Sequence, residues 1–376
     1  MAGIYIHVPF CRTRCIYCDF YTRTDLSPKD AYVDALCREI ALRREYLGGE
    51  AVETIYFGGG TPSLLNGSDL DRIFSSLYAN FKIADDAEIT LEANPDDLSQ
   101  RYAELLGKQP FNRLSIGIQS FDDNELKFLN RRHSAREAID AVNRCKSYGF
   151  DNISIDLMYG LPNQTIDIWK SNLNTALSLE VQHISPYHLI YEEDTKLYKL
   201  FTQRQVRAVD EEVSLKMFSD MIEILSEAGF RHYEISNFAQ EGYISQHNSS
   251  YWLGKKYLGL GPAAHSFDTI SRSWNIASVK KYIEGIIDGV PNIESENLDK
   301  YTQYNEYILT GLRTMWGVDM EKLETLFGTS FKDFALSYAR KYIDAGSIVY
   351  SRNKLQLTRN GIYISDSIMR DLMWVQ

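Results

Sequence analysis

The stretch IYIHVPFCRTRCIYCDFY, residues 4–21, holds Cys11, Cys15 and Cys18 in a C-x3-C-x2-C spacing, three of the five cysteines in the chain. Thiolates so closely spaced in one loop point to metal, and two metals could claim them. Zinc wants four closed tetrahedral ligands, and His7 could complete the set as H-x3-C-x3-C-x2-C. That reading is weakened by position, because His7 lies in a strand where alternation with Tyr5 and Pro9 decides its direction. A [4Fe–4S] cubane is the other claimant. With three of its four irons ligated, it keeps one iron open as a Lewis-acid anchor for a small molecule carrying amino and carboxylate groups. The missing fourth cysteine is then the working site. A second element, YFGGGTPS, puts Gly58, Gly59 and Gly60 directly after a strand, where bare backbone can approach a ligand. It is neither G-x-G-x-x-G nor a phosphate loop with its Lys, so neither nucleotide motif fits. Cys37 and Cys145 stand alone in helical patterns and read as buried structural thiols.

The elements that must position these loops alternate. Short strands are expected at 3–9, 53–58, 88–94, 113–119, 152–160 and 183–191, with helical patterns between them. One helix is expected to start at Ser27 as N-cap with Pro28 behind it. Six strand–helix units predict a parallel sheet with right-handed crossovers, curved into an incomplete barrel. An open doubly wound sheet is the rival at this level. The strands favour the barrel, because three of them are apolar on one face only. Glu92 and Thr90 share a side, as do Ser115, Gly117 and Gln119, and Ser154 and Asp156. A polar inner face on successive strands predicts a wet or ligand-filled lumen.

At 376 residues, the chain is long enough for a large core plus a smaller unit. Its 44% hydrophobic and 24% charged content is that of a globular protein, and a net charge of −11 argues against nucleic acid as partner. No apolar run is long enough to predict a transmembrane helix, which leaves only peripheral membrane contact open. MAGIYIHVPF lacks the features of a signal peptide, so a cytoplasmic, reducing location is expected. A long helix around 204–229 leads into the HNSSYW segment at 247–252; from 300 the pattern reads as three helices, a hairpin and a helix. The expected division is a barrel over 1–230, an extension carrying HNSSYW over 231–299, and a winged-helix-like α+β unit over 300–376.

Taken together, C-x3-C-x2-C with an aromatic before the last cysteine, YIHVPFC, FGGGTPS, LEANP, SIGIQSF and IDLMYGLP resemble the radical S-adenosylmethionine (SAM) superfamily. Within it they resemble the branch of oxygen-independent coproporphyrinogen III oxidases, over essentially the whole chain. The resemblance implies a partial (β/α)6 barrel in which a reduced cluster cleaves SAM to methionine and a 5′-deoxyadenosyl radical. It implies that Cys11, Cys15 and Cys18 bind the cluster and that Tyr5 and Tyr17 lie against SAM. Gly59, Gly60 and Thr61 would meet its amino-acid moiety. Glu92, Gln119, Arg131 and Asp156 would bind its carboxylate or ribose, and Ile190 and His265 would flank the adenosine. Phe20 stands where those oxidases carry a further cysteine; CIYCDFY and HNSSYW instead resemble the HemW-type haem chaperones. NRRHS resembles their G-R-x-H, with Asn130 in place of glycine. This nearer resemblance implies haem as cargo and a haem-accepting protein as partner, and it leaves enzymatic turnover open. It makes His247 the candidate axial ligand, with Tyr251 and Trp252 against the porphyrin and Lys255 and Lys256 for its propionates. Read from residues alone, HNSSYW is a surface turn whose aromatics staple the barrel to the C-terminal unit. The alternative function is coproporphyrinogen III oxidation.

Overall fold

In the computed structural model, which describes residues 2–375, six strands follow one another in the sheet in chain order. They are β1 (Ala2–Val8), β2 (Val52–Gly59), β3 (Ile83–Ala93), β4 (Arg113–Gln119), β5 (Ile153–Tyr159) and β6 (His183–His188), each parallel to the next. Helices such as Lys29–Leu42, Gly67–Asn80, Ala135–Ser147 and Ile166–Ser178 make the crossovers. One side of every strand is apolar and buried beneath those helices: Ile4, Ile6 and Val8; Ile55 and Phe57; Ile89 and Leu91; Leu114, Ile116 and Ile118; Ile153, Ile155 and Leu157. The opposite side carries the polar residues, as the alternation predicts.

The sheet runs on at both ends. Beyond β6 lie β7 (Arg231–Glu234) and β8 (Asn237–Ala239), with β8 antiparallel to β6. Beyond β1 lie β9 (Lys256–Leu260), which is parallel to β1, then β10 (His265–Phe267), β11 (Ser271–Asn275) and β12 (Ile293–Asn297). The segment after β6 therefore supplies strands to both margins of a twelve-stranded sheet.

A second core, built on Tyr304, Ile308, Leu323, Phe331 and Ile368, holds the helices Lys300–Leu312, Met320–Phe327, Thr329–Asp344 and Ser365–Leu372. Against it lie β13 (Val318–Asp319), β14 (Ile348–Ser351) and β15 (Lys354–Leu357), in the order β13-β15-β14. The β14–β15 turn has positive φ at Arg352 and Asn353, the conformation that a two-residue hairpin requires. The α/β fold with a C-terminal α+β unit is thus as expected.

Strand β3 begins at Ile83 rather than at 88, and β6 ends at His188 rather than at 191; two helix boundaries differ as well. The first helix starts at Lys29, with Pro28 in the cap position, and the Ser27 side chain does not cap it. The Ser27 amide is instead held by Asp25 Oδ1 at 3.0 Å. The expected helix over 204–229 is confined to Glu211–Glu227, because Arg204 takes φ 59° after the short helix Lys196–Thr202. Among the described residues, no helix is long and apolar enough to cross a membrane.

Candidate cofactor site

At the C-terminal ends of β1–β6 the inner face opens into a cavity of about 470 Å³. Cys11, Cys15, Tyr17, Cys18, Gly59, Gly60, Thr61, Glu92, Gln119, Arg131, Asp156 and Ile190 all line it. Twelve of the fifteen residues named as cluster ligands, SAM contacts or haem ligand therefore share one site, the three thiols on one side and the strand carboxylates on the other.

The cysteine loop leaves β1 and is tied down by backbone bonds, Cys11 N to Arg23 O at 2.9 Å and Ile16 N to Leu129 O at 3.3 Å. Arg12 pairs with the buried Asp97 at 3.3 Å, which fixes the loop to the turn after β3. Asn130 adopts φ 61° and donates to Arg14 O at 2.9 Å. A left-handed backbone explains how Asn stands where relatives of the motif carry Gly. Thr61 Oγ1 lies 3.3 Å from Cys11 Sγ, and Arg131 Nη1 lies 3.4 Å from Cys15 Sγ, so two of the sulfurs already have hydrogen-bond donors. Burial pushes the Cys18 thiol up to about 11 and the Cys11 thiol upward as well; coordination to iron would supply the positive charge these thiols lack. His7 does not complete a zinc set, since Nδ1 meets Tyr5 OH at 3.1 Å and Nε2 meets Tyr21 O at 2.9 Å. Three half-buried thiols line one open cavity, and three is the number of protein thiolates that a cubane with one open iron takes.

On the facing wall, Glu92 is held by Tyr56 OH at 2.7 Å and by Gly59 N at 3.1 Å. Burial raises its carboxyl to about 7, and raises Asp156 to about 6 against the opposing pull of Arg113 and Arg131. Arg131 donates to Asn94 Oδ1 at 2.6 Å and to Gly117 O, which places a guanidinium beside both the cysteine loop and the carboxylates. Gln119 ends β4 at φ 72°, where the β4–β5 register shifts. Backbone held outside the usual regions is common where side chains must be aimed at a ligand.

Gly59 and Gly60 line the cavity, and their bareness also serves packing beneath the loop. A Cβ on Gly60 would fall 2.6 Å from Val8 O and 2.7 Å from Phe10 O, and one on Gly59 would fall 2.4 Å from the His7 ring. The absent side chains let the GGGTP loop press against the end of β1, the point from which the cysteine loop departs.

Three named residues lie elsewhere. Tyr5 sits below the cavity, its ring stacked at 6.2 Å on Tyr56. His265 is exposed on β10 and stacks on Trp274 at 5.7 Å, two strands away from the wall it was expected to join. His247 is 2% exposed, with Nδ1 2.8 Å from Thr54 Oγ1 and Nε2 2.8 Å from Tyr251 OH. Neither ring nitrogen is free for an iron in this conformation. The HNSSYW helix, Gln246–Trp252, closes the N-terminal end of the barrel, and Glu88 of β3 caps it through the amides of Gln246 and His247, both at 2.9 Å. Lys256 pairs with Glu50 at 2.6 Å.

Asn94, Tyr56, Arg113 and Tyr187 were not singled out from the sequence. Asn94 bridges Arg131 and Thr61, Tyr56 holds Glu92, and Tyr187 lines the cavity. Three of them sit in register with residues that were named: Asn94 two places after Glu92, Tyr56 two before Gly58, and Arg113 two before Ser115 on the polar face of β4.

Comparison with known proteins gives this geometry a lineage. A profile of the Radical SAM superfamily matches residues 5–176, and one of the HemN C-terminal domain matches 298–364. The heme chaperone HemW of Bacillus subtilis is 34% identical over 371 residues, 98% of this chain and 98% of that protein. The chain belongs to the HemW family of radical SAM proteins. A mitochondrial relative from Bos taurus, radical S-adenosyl methionine domain-containing protein 1, is 32% identical over 99% of this chain and 87% of its own length. The solved coproporphyrinogen III oxidase HemN from Escherichia coli superposes with a TM-score of 0.85 over 99% of this chain and 90% of that one, at 22% identity, which establishes a shared fold. Membership in the superfamily implies a [4Fe–4S] cluster and SAM, and the donor set in the cavity fits both.

Proposed function

We propose that this protein is a cytoplasmic haem chaperone that carries a [4Fe–4S] cluster and SAM and passes haem to an acceptor protein. The observation that carries this reading is end-to-end likeness to a protein named as a haem chaperone, 34% identical over 98% of both chains. Cys11, Cys15 and Cys18 hold the cluster, which when bound supplies one-electron reduction. Glu92, Gln119, Arg131 and Asp156 receive the polar groups of SAM, Thr61 and the Gly59–Gly60 backbone bound its amino-acid end, and Tyr17 and Ile190 close over it. Phe20, 61% exposed on the cluster loop, supports the chaperone over the oxidase, since a further cysteine is expected there in an oxidase.

The deciding experiment gives an anaerobic, reconstituted preparation either haem or coproporphyrinogen III with SAM and a reductant. Stable haem binding without formation of protoporphyrinogen IX is expected. Robust turnover, on the order of 1 per second as is ordinary for enzymes, would establish the oxidase instead.

A further inference from the structure

The floor of the barrel holds a stack of three rings that leads from the HNSSYW helix to the carboxylate wall. His247 lies against Tyr56 with ring centres 5.0 Å apart and planes 18° apart. Tyr5 stacks on both, at 6.2 Å from Tyr56 and 6.5 Å from His247. The imidazole is clamped end to end between Thr54 and Tyr251, and burial lowers it to about 3, so it is a neutral ring with fixed edges. Two glycines make room for this packing. A Cβ on Gly3 would fall 2.8 Å from Thr54 Oγ1, and one on Gly58 would fall 2.8 Å from the Tyr56 ring and 3.0 Å from Glu92 Oε1.

What the stack fixes is one oxygen. Tyr56 reaches past the floor to donate to Glu92 Oε1 at 2.7 Å, leaving Glu92 Oε2 to accept from Gly59 N at 3.1 Å. The same carboxylate thereby joins the plug helix, the glycine loop and the cavity. A tyrosine ring is free to swing about its χ1 and χ2 unless something packs on its face. Here His247 is that packing partner, and the helix that carries His247 is in turn pinned by Glu88 and by Arg313, which lies over the Trp252 ring at 5.0 Å.

We infer that His247 is a positioning residue for the SAM pocket: through its contact with Tyr56 it sets the orientation of Glu92, the carboxylate that meets the ligand. This rests on the assignment of SAM to the cavity and assigns the histidine of HNSSYW a role distinct from haem ligation. Its reach includes the C-terminal unit, because Arg313 follows directly on the helix Lys300–Leu312 and holds the plug from below.

The test is a double-mutant cycle on SAM affinity, measured by anaerobic equilibrium dialysis of the cluster-reconstituted protein. Tyr56→Phe keeps the ring and removes only the hydroxyl on Glu92; His247→Ala removes the packing partner. Each is expected to weaken SAM about tenfold, and the double variant is expected to be no weaker than the worse single, because both act through one carboxylate. Iron content and the haem titration of His247→Ala should match wild type. His247→Asn, which can keep the bond to Thr54, replaces the alanine variant in the cycle if that protein does not fold. Asp156→Ala is the control for the ligand assignment: if it leaves SAM affinity unchanged, the pocket itself is misassigned. With that control weakened, unchanged affinity in His247→Ala, or strictly additive losses in the cycle, would overturn the positioning role.

Discussion

SAM affinity should depend steeply on pH below about 8, and the size of the effect follows from the two wall carboxylates. Burial raises Glu92 to about 7 and Asp156 to about 6, so before ligand binds Glu92 is half-protonated at neutral pH. Both must be ionised to accept hydrogen bonds from ribose hydroxyls or an ammonium group. Binding therefore releases protons, and affinity is lost as pH falls through the raised values. For a group of pKa about 7, the ionised fraction falls about tenfold between pH 8 and pH 6; the second group at about 6 adds a factor of about two. The dissociation constant should thus rise about twentyfold over that interval. Calorimetry or dialysis at the two pH values measures it. The Glu92→Gln variant should bind more weakly at pH 8 yet lose only about twofold on going to pH 6. The amino group of SAM titrates alike against both proteins, so the ratio of the two profiles isolates the contribution of Glu92. Stability of the ligand-free protein should run the opposite way, because folded-state values above the unfolded ones favour the folded form at low pH and lose that contribution as pH rises toward 7. Identical pH profiles for wild type and Glu92→Gln would refute the reasoning.

Two further outcomes are expected of the cluster loop. Cys18→Ala should reduce iron well below the about four atoms per chain of a reconstituted cubane and abolish its spectrum; retention of both would remove Cys18 from the ligand set. Gly60→Ala should cost cluster occupancy rather than SAM contact, because its methyl group would drive into the backbone oxygens of Val8 and Phe10 and displace the chain just before Cys11. Iron analysis separates the two, and a Gly60→Ala protein with full iron but weakened SAM would show that this glycine serves the SAM pocket rather than the cysteine loop.

What was legible in the sequence was legible through the period of two. Glu92 and Asp156 each alternate with apolar neighbours, and a strand cannot turn one residue without turning all of them; Gln119 reaches the cavity through the irregular end of β4 instead. Asn94 and Arg113 were readable by the same rule, one strand step from residues already named. Arg131, in the loop after the helix Asp123–Phe128, and Ile190, in the loop after β6, lie where no period applies, and only the resemblance pointed to them. His265 shows the limit of that resemblance: the residue type is present, but its strand pairs with β9 and β11, and its ring stacks on Trp274 away from the cavity. The glycines carried the most compressed signal. GGGTP announces close approach, yet what approaches is decided by which strand end lies beneath, and a one-dimensional pattern does not contain that.

HNSSYW marks the deeper reason. Histidine, tyrosine and tryptophan in one short segment have the composition of a cofactor site, and they have equally the composition of a buried hydrogen-bonded plug. The two readings differ only in whether the ring nitrogens find protein partners. One partner, Tyr251, lies within the segment; the other, Thr54 on β2, lies more than 150 positions earlier in the chain, as does Glu88 on β3, which caps the backbone of the helix. They meet the helix because the sheet curves enough to need a floor, and the polar side of β1–β4 must be satisfied by whatever closes it. A barrel that opens to bind cofactors at one end must be sealed at the other without leaving Thr54, Glu88 and Tyr251 unpaired, and a histidine bonded through both ring nitrogens and its own amide meets that requirement at the same point where it can steady Tyr56.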